Sequence, residues 1–204
     1  MKVRGESMSR LLLLRPPNHF LTITCAGADV IMKPLAIKTS MMSIAAMHSD
    51  DWEQVSRIYL EGIATGHATF ETQAPCWEAW DSSHLPFARL IARDGGKICG
   101  WATLSPASGR AAYAGVAEVS IYVAGDHRNR GIGRTLLERL IAASEQNGIW
   151  TLQAVVFAEN EATLALHRGC GFREVGRRER IGKLNGMWRD TLLLERRSSV
   201  VGID

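Results

Sequence analysis

The run Arg128-Asn129-Arg130-Gly131-Ile132-Gly133 joins Ala117–Val123 (AEVSIYV) to a stretch with Leu136, Leu137, Leu140 and Ile141 at helical spacing. Strand-forming residues therefore precede the run and an amphipathic helix follows it. Glycine at 131 and 133 lets the backbone approach a ligand closely and adopt positive φ. The unpaired N–H groups of the helix's first turn point out of its end, where the helix dipole adds partial positive charge. Arg128, Arg130 and Arg134 add full charges. A phosphate or pyrophosphate is the natural guest of such a cradle. No Gly-Lys-Ser/Thr follows, so this is not a nucleotide-triphosphate loop. Leu136 stands where a GxGxxG dinucleotide motif needs its third glycine.

On both sides of this loop, strands and helices alternate. Met42–Met47 reads as a short strand. Asp50 reads as an N-cap with Glu53 completing a capping box, and Trp52, Val55, Ile58, Tyr59 and Ile63 follow at helical spacing. Thr65–Thr72 is a loop, and Cys76–Ser83 is a second short helix carrying Trp77 and Trp80. Ala88–Arg93 and Ile98–Leu104 form a hairpin around Asp94-Gly95-Gly96-Lys97. The next strand runs from about Tyr113 to Val123. The helix after the cradle stops at Asn147-Gly148. Trp150–Phe157 is a strand, Asn160–Arg168 a short helix, and Glu174–Leu184 with Met187–Leu194 a closing hairpin across Asn185-Gly186. The pattern is mixed α/β, one central sheet with helices on its faces.

The chain has 204 residues, enough for one domain with appendages. Its 46% hydrophobic and 22% charged composition excludes a chain that is mainly disordered. No apolar run approaches the ~20 residues of a membrane-spanning helix. Residues 1–40 hold six basic and two acidic side chains, +4, which leaves −1 on the rest of a chain of net charge +3. That near-neutral body gives no footprint for nucleic acid. Residues 1–40 also contain Pro16, Pro17 and Pro34 and no sustained period. They read as a non-core extension, disordered or an artefact of start-codon choice. The domain is placed at 42–197, with 198–204 as a tail. Cys25, Cys76, Cys99 and Cys170 form no CxxC pair and read as reduced thiols of a cytoplasmic protein. No His/Cys/Asp cluster has ligand spacing, so no metal is expected.

The Arg128-x-x-Gly131-x-Gly133 arrangement after Ile121-Tyr122-Val123 resembles the signature of the GCN5-related N-acetyltransferases (GNAT). The resemblance spans about residues 42–197. It includes Asn160 before a short helix, then Leu166-His167-x-x-Cys170-Gly171-Phe172. Within the family, it is similar to the phosphinothricin and methionine sulfoximine acetyltransferase branch. The segments Ala68-Thr69-Phe70-Glu71-Thr72, Arg110-Ala111-Ala112-Tyr113 and Lys183-x-x-Gly186-x-Trp188-x-Asp190 carry that likeness.

The resemblance implies a GNAT fold with a splayed central sheet and acetyl-CoA as cosubstrate. Arg128, Asn129, Arg130, Gly131, Ile132, Gly133 and Arg134 would bind the pyrophosphate. The backbone of Ile121, Tyr122 and Val123 would pair with the pantetheine arm where that strand splays from Trp150–Phe157, and Asn160 would bond the pantetheine amides or hold the second splayed strand. Glu118 would be the general base for the acceptor amine. His167 stands where many relatives carry a Tyr that protonates the leaving thiolate. Phe70, Arg110, Tyr113 and Ser120 would line the acceptor side. Relatives often place a further basic residue two positions before Arg110, where this chain has Ser108. Trp188 would pack or close a homodimer. A Cys170 nucleophile has no other support. The activity implied is direct acetyl transfer to the α-amine of a small amino-acid-like molecule. The alternatives are a protein N-terminal or ribosomal-protein acetyltransferase and a non-catalytic acyl-CoA sensor. No nucleic acid or membrane partner is expected.

Overall fold

The computed structural model describes residues 42–203; the extension expected over 1–40 lies outside them. Seven strands form one sheet in the order β1-β2-β3-β4-β5-β7-β6. They are β1 Ser43–Ala46, β2 Leu90–Asp94, β3 Lys97–Pro106, β4 Val116–Val123, β5 Thr151–Phe157, β6 Arg173–Leu184 and β7 Met187–Arg197. The helices are α1 Trp52–Ala64, α2 Trp77–Ser83, α3 Ile132–Gln146 and α4 Glu161–Gly169. All neighbouring strands run antiparallel except β4 and β5, which are parallel. Among the described residues no helix is long and apolar enough to cross a membrane.

Alternation along the strands assigns the two faces of the sheet. Ile91 and Trp101 pack with Val55, Ile58 and Trp80 from α1 and α2. Ala92, Ala102 and Leu104 pack with Leu136, Leu137 and Leu140 of α3 and Leu164 of α4. β3 is covered on both faces, which is why Ile98–Leu104 reads as a nearly unbroken apolar run. Two hairpins turn on positive-φ pairs, Gly95-Gly96 and Asn185-Gly186, as tight connections require.

Two local expectations shift. The first helix is capped one residue later than Asp50 suggested. Ser49–Asp51 form a 3-10 turn, and the Asp51 carboxylate accepts from the His48 N–H at 2.9 Å. Glu53 pairs instead with Arg57 on the exposed face. The strand expected from Tyr113 begins at Val116, because Ala111–Tyr113 form a 3-10 turn. Residues 198–203, read as a tail, are tied back: Ser198 is buried and Arg197 donates to the carbonyls of Trp150 and Gly202.

The feature that positions the site lies between β4 and β5. Their pairing covers Val116–Glu118 against Thr151–Gln153 and then stops. β4 continues to Val123 paired with β3, and β5 continues to Phe157 paired with β7. The two strands therefore part, and from Val119 and Ala154 onward each leaves an unpaired backbone edge in the middle of the sheet. Gly115 fixes the closed end. Its carbonyl accepts from the N–H groups of Trp150 and Thr151 at 2.8 and 3.0 Å. A Cβ there would meet the Trp150 ring at 2.0 Å.

Candidate active site

Three cavities meet along the open edge of β4. The first, of about 600 Å³, runs from Ile121–Val123 over the Arg128 loop to α4. Asn129 and Gly131 both have positive φ, 61° and 79°. Gly131 is the N-cap of α3, and a Cβ on it would touch nothing within 4 Å. Its glycine requirement is thus conformational, and the space above it is open to a ligand. Gly133 differs: a Cβ there would already lie 3.3 Å from Leu166 Cδ2, so close packing on α4 accounts for it. Arg128 and Arg134 line this cavity, whereas Arg130 does not. Arg134 also pairs with Glu138 at 2.8 Å. Free helix N–H groups, guanidinium charge and an unpaired strand edge together fit a long ligand with a phosphate at one end and amides at the other.

The second cavity, about 270 Å³, fills the mouth of the opening between the strands, with Glu118, Ser120, Ile121, Phe157, Thr163 and His167 in its wall. Glu118 stands on the last β4–β5 pair, where the strands begin to part. Burial pushes its carboxyl up from the ordinary carboxylate range, and the Arg178 guanidinium pulls the other way. Phe70 meets Phe157 edge to face at 4.7 Å and lies over Gly182 of β6.

His167 is 1% exposed. Its Nδ1 lies 2.8 Å from the Thr163 carbonyl and so carries the proton it donates there. Burial pushes its pKa down, against that bond, which keeps the ring neutral at physiological pH. Nε2 is then a bare acceptor with no partner among the described residues. In this resting form His167 has no proton at Nε2 to give to a leaving group.

Asn160 already has protein partners at both ends of its amide. Its side-chain oxygen accepts from Thr163 N–H at 3.2 Å and its amide donates to the His67 carbonyl at 3.0 Å. It thus caps α4 and ties it to the turn after α1. Arg110, at the N-cap of the 3-10 turn before β4, and Tyr113, in that turn, are exposed, and neither lines any of these three cavities. Burial pushes the Cys170 thiol up, away from a reactive thiolate.

Sequence reasoning missed Thr191 and a third cavity. Thr191 lies opposite Phe157 in register, 1% exposed, its hydroxyl without a partner among the described residues, in the wall shared with His167. A lone Thr in a strand carries no signal that sets it apart. The third cavity, about 350 Å³, is walled by Tyr59, Trp80, His84 and Trp101 and shares Glu71, Ser120 and Tyr122 with the second. Trp80 and Trp101, 21 positions apart in the sequence, look like ordinary core until α2 brings them together.

Comparisons with known proteins agree with this geometry. The Acetyltransferase (GNAT) family matches residues 45–172. A phosphinothricin N-acetyltransferase of Alcaligenes faecalis is 35% identical over 164 residues, covering 76% of this chain and 81% of that protein. The crystal structure of a phosphinothricin acetyltransferase from Sinorhizobium meliloti in complex with acetyl-CoA superposes with TM-score 0.74 at 28% identity, covering 80% and 91% of the two chains. That of a ribosomal-protein-alanine N-acetyltransferase from Brucella melitensis does so with TM-score 0.71, also at 28% identity, over 76% and 99%. With its anion cradle, its parted strands and these matches, the chain belongs to the GNAT family of acetyltransferases.

Proposed function

We propose that this acetyl-CoA-dependent N-acetyltransferase acetylates the α-amine of a small amino-acid-like molecule, of the phosphinothricin or methionine sulfoximine type, by direct transfer. The position of Glu118 carries the reading. A half-buried carboxylate with a raised pKa stands where the open edge of β4 begins, within reach of the small cavity rather than of bulk water.

The roles follow from chemistry. The cradle residues Arg128, Asn129, Gly131, Ile132, Gly133 and Arg134 hold the pyrophosphate, with Arg130 adding charge from outside the lining. The N–H groups of Ile121 and Val123, which alternate away from β3, hold the pantetheine arm and polarise the thioester carbonyl, while Tyr122 between them pairs with Trp101 of β3. Asn160 fixes the α4 side of the channel through its cap and its bond to His67. Glu118 takes a proton from the acceptor ammonium, directly or through water, and frees the lone pair that attacks the carbonyl carbon. As the C–N bond forms and the C–S bond breaks, the nitrogen must lose one more proton and the sulfur must gain one. A neutral His167 with a bare Nε2 suits a relay: it accepts this second proton from the nitrogen and, as a buried imidazolium of lowered pKa, readily passes it to sulfur. Phe70 and Ser120 wall the acceptor. The exposed Ile181, Met187 and Trp188 at the β6–β7 turn support a homodimer.

The experiment is thiol release from acetyl-CoA over a panel of free amino acids and short peptides. Turnover confined to free amino acids and their analogues is the expected result. Turnover confined to peptides would put a protein acceptor in place of a small one. Acetyl-CoA binding without turnover of any amine would leave the non-catalytic sensor.

A further inference from the structure

We propose that the aromatic cavity beside the transfer site is the subsite for the acceptor's side chain, and that Trp101 selects there a neutral head bearing an oxygen acceptor over an anionic head. The inference rests on the small-acceptor reading above and narrows it to one class of side chain.

The cavity is placed for that task. It shares Glu71, Ser120 and Tyr122 with the transfer cavity, so an α-amine held near Glu118 sends its side chain across this common wall. Its volume of about 350 Å³ accommodates an amino-acid side chain. The lining is rigid. The Trp101 ring stacks on Tyr122 at 4.6 Å and meets Tyr59 edge-on at 5.7 Å and Trp80 at 6.1 Å.

Trp101 is 1% exposed, yet its Nε1–H has no acceptor among the described residues. Buried indole N–H groups are ordinarily satisfied, because one kept from both water and an acceptor destabilises the fold. A donor left unpaired in the wall of a cavity is explained when the ligand supplies the acceptor. Beside it, His84 points Nδ1 at the Trp80 carbonyl, 2.6 Å away, and burial pushes its pKa down. The ring is therefore neutral, with Nε2 left to accept. A donor and an acceptor on neutral walls match a carboxamide or a sulfoximine, and the donor alone matches a sulfone.

An anionic head finds no counterpart. No Lys or Arg lines this cavity, and Glu71 is the charged side chain that does. Arg89 lies nearby, 5.4 Å from the Trp80 ring, but it is committed to the Asp81 carboxylate and to the Leu85 and His84 carbonyls. Aromatic faces carry negative potential and add to the repulsion. Discrimination of this sort is strong when a site's polar groups would otherwise stay unpaired.

The test measures kcat/KM of the full chain with acetyl-CoA for methionine sulfone, methionine sulfoximine and glutamine against phosphinothricin and glutamate, with methionine as the apolar reference. The neutral heads are expected to exceed the anionic ones at least tenfold. Trp101→Phe keeps an aromatic ring and removes the N–H. It is expected to lower the ratio of kcat/KM for methionine sulfone to that for methionine at least fivefold. Equal losses on both substrates would make Trp101 a packing residue and overturn its selecting role. A preference of the unaltered enzyme for phosphinothricin or glutamate would overturn the subsite whatever the variant does. Turnover of peptides alone would overturn this inference together with the functional reading beneath it.

Discussion

At the scale of the residue, Glu118 is caught between two opposed influences, and both can be measured. Burial raises its pKa and Arg178 lowers it. As the proposed base Glu118 works ionised, so the acid limb of the rate profile is expected to follow its pKa. Removing the opposing charge in Arg178→Ala lets the pKa climb and moves that limb to higher pH. An unmoved limb would disconnect Glu118 from the rate. Glu118→Gln should keep acetyl-CoA binding and lose ~10²–10⁴-fold in turnover near neutrality, a defect that shrinks as pH rises and free amine appears unaided. Cys170→Ala should change little; if it lost turnover where Glu118→Gln kept it, a covalent acyl-enzyme would replace direct transfer. Stability carries a second readout of opposite sign. A carboxyl whose folded pKa is raised favours folding below its unfolded pKa, and that contribution is lost as pH rises through the folded value. At neutral pH the ionised Glu118 therefore works against the fold, and Glu118→Gln should raise the melting temperature while it lowers the rate. Much of the candidate site was legible in the sequence, since Glu118 and His167 belong to recognisable runs and come to line one cavity. The proton inventory of His167 was not, because it depends on a carbonyl one helical turn away and on burial that only the packed sheet supplies.

At the scale of the element, the cradle shows which local rules survive packing. Gly131 with φ of 79° and open space above it, and α3 starting at Ile132, follow from glycine and helix-end chemistry alone. Gly131→Val places a β-branched side chain in that left-handed position and in the ligand's space. Acetyl-CoA affinity should fall at least tenfold, about 1.4 kcal/mol. Calorimetry on the folded variant checks it, and unchanged affinity would remove the loop from the site. Expectations failed where two local rules competed. Asp50 and Asp51 are both plausible caps, and Asp51 takes the N-cap position of α1 without a side-chain capping bond, its carboxylate accepting from the His48 N–H and pairing with Arg93 of β2. Tyr113 has strand propensity but sits in a 3-10 turn, because Gly115 must come against Trp150 before β4 can begin. Nothing local to β4 or β5 announces that their pairing ends at Glu118. Both strands go on being well paired on their outer sides, so the register between β4 and β5 is what reveals the gap, which the sequence pointed to through the family resemblance alone.

At the scale of the whole molecule, composition and periodicity set residues 1–40 apart from the rest of the chain, and we propose that the domain folds without them. Among the described residues both core clusters lie within residues 44–194. A chain beginning at Met42 should therefore unfold cooperatively and retain acetyl transfer. Loss of the cooperative transition by calorimetry would make residues 1–40 integral to the fold. The parted strands have a wider meaning for the molecule. Through its backbone ladder, the sheet is two half-sheets, β1–β4 and β5–β7, stitched by three residue pairs. In the function proposed above, the acetyl donor lies along the free edge of β4 and is the missing length of seam. Binding to the folded state alone adds stability that grows with the logarithm of ligand concentration, about 2.7 kcal/mol at a hundredfold excess over Kd. The persistence of the folded enzyme is thereby indexed to the supply of its own reactant. When acetyl donor runs short the catalyst itself loosens, along the very line where it would have worked.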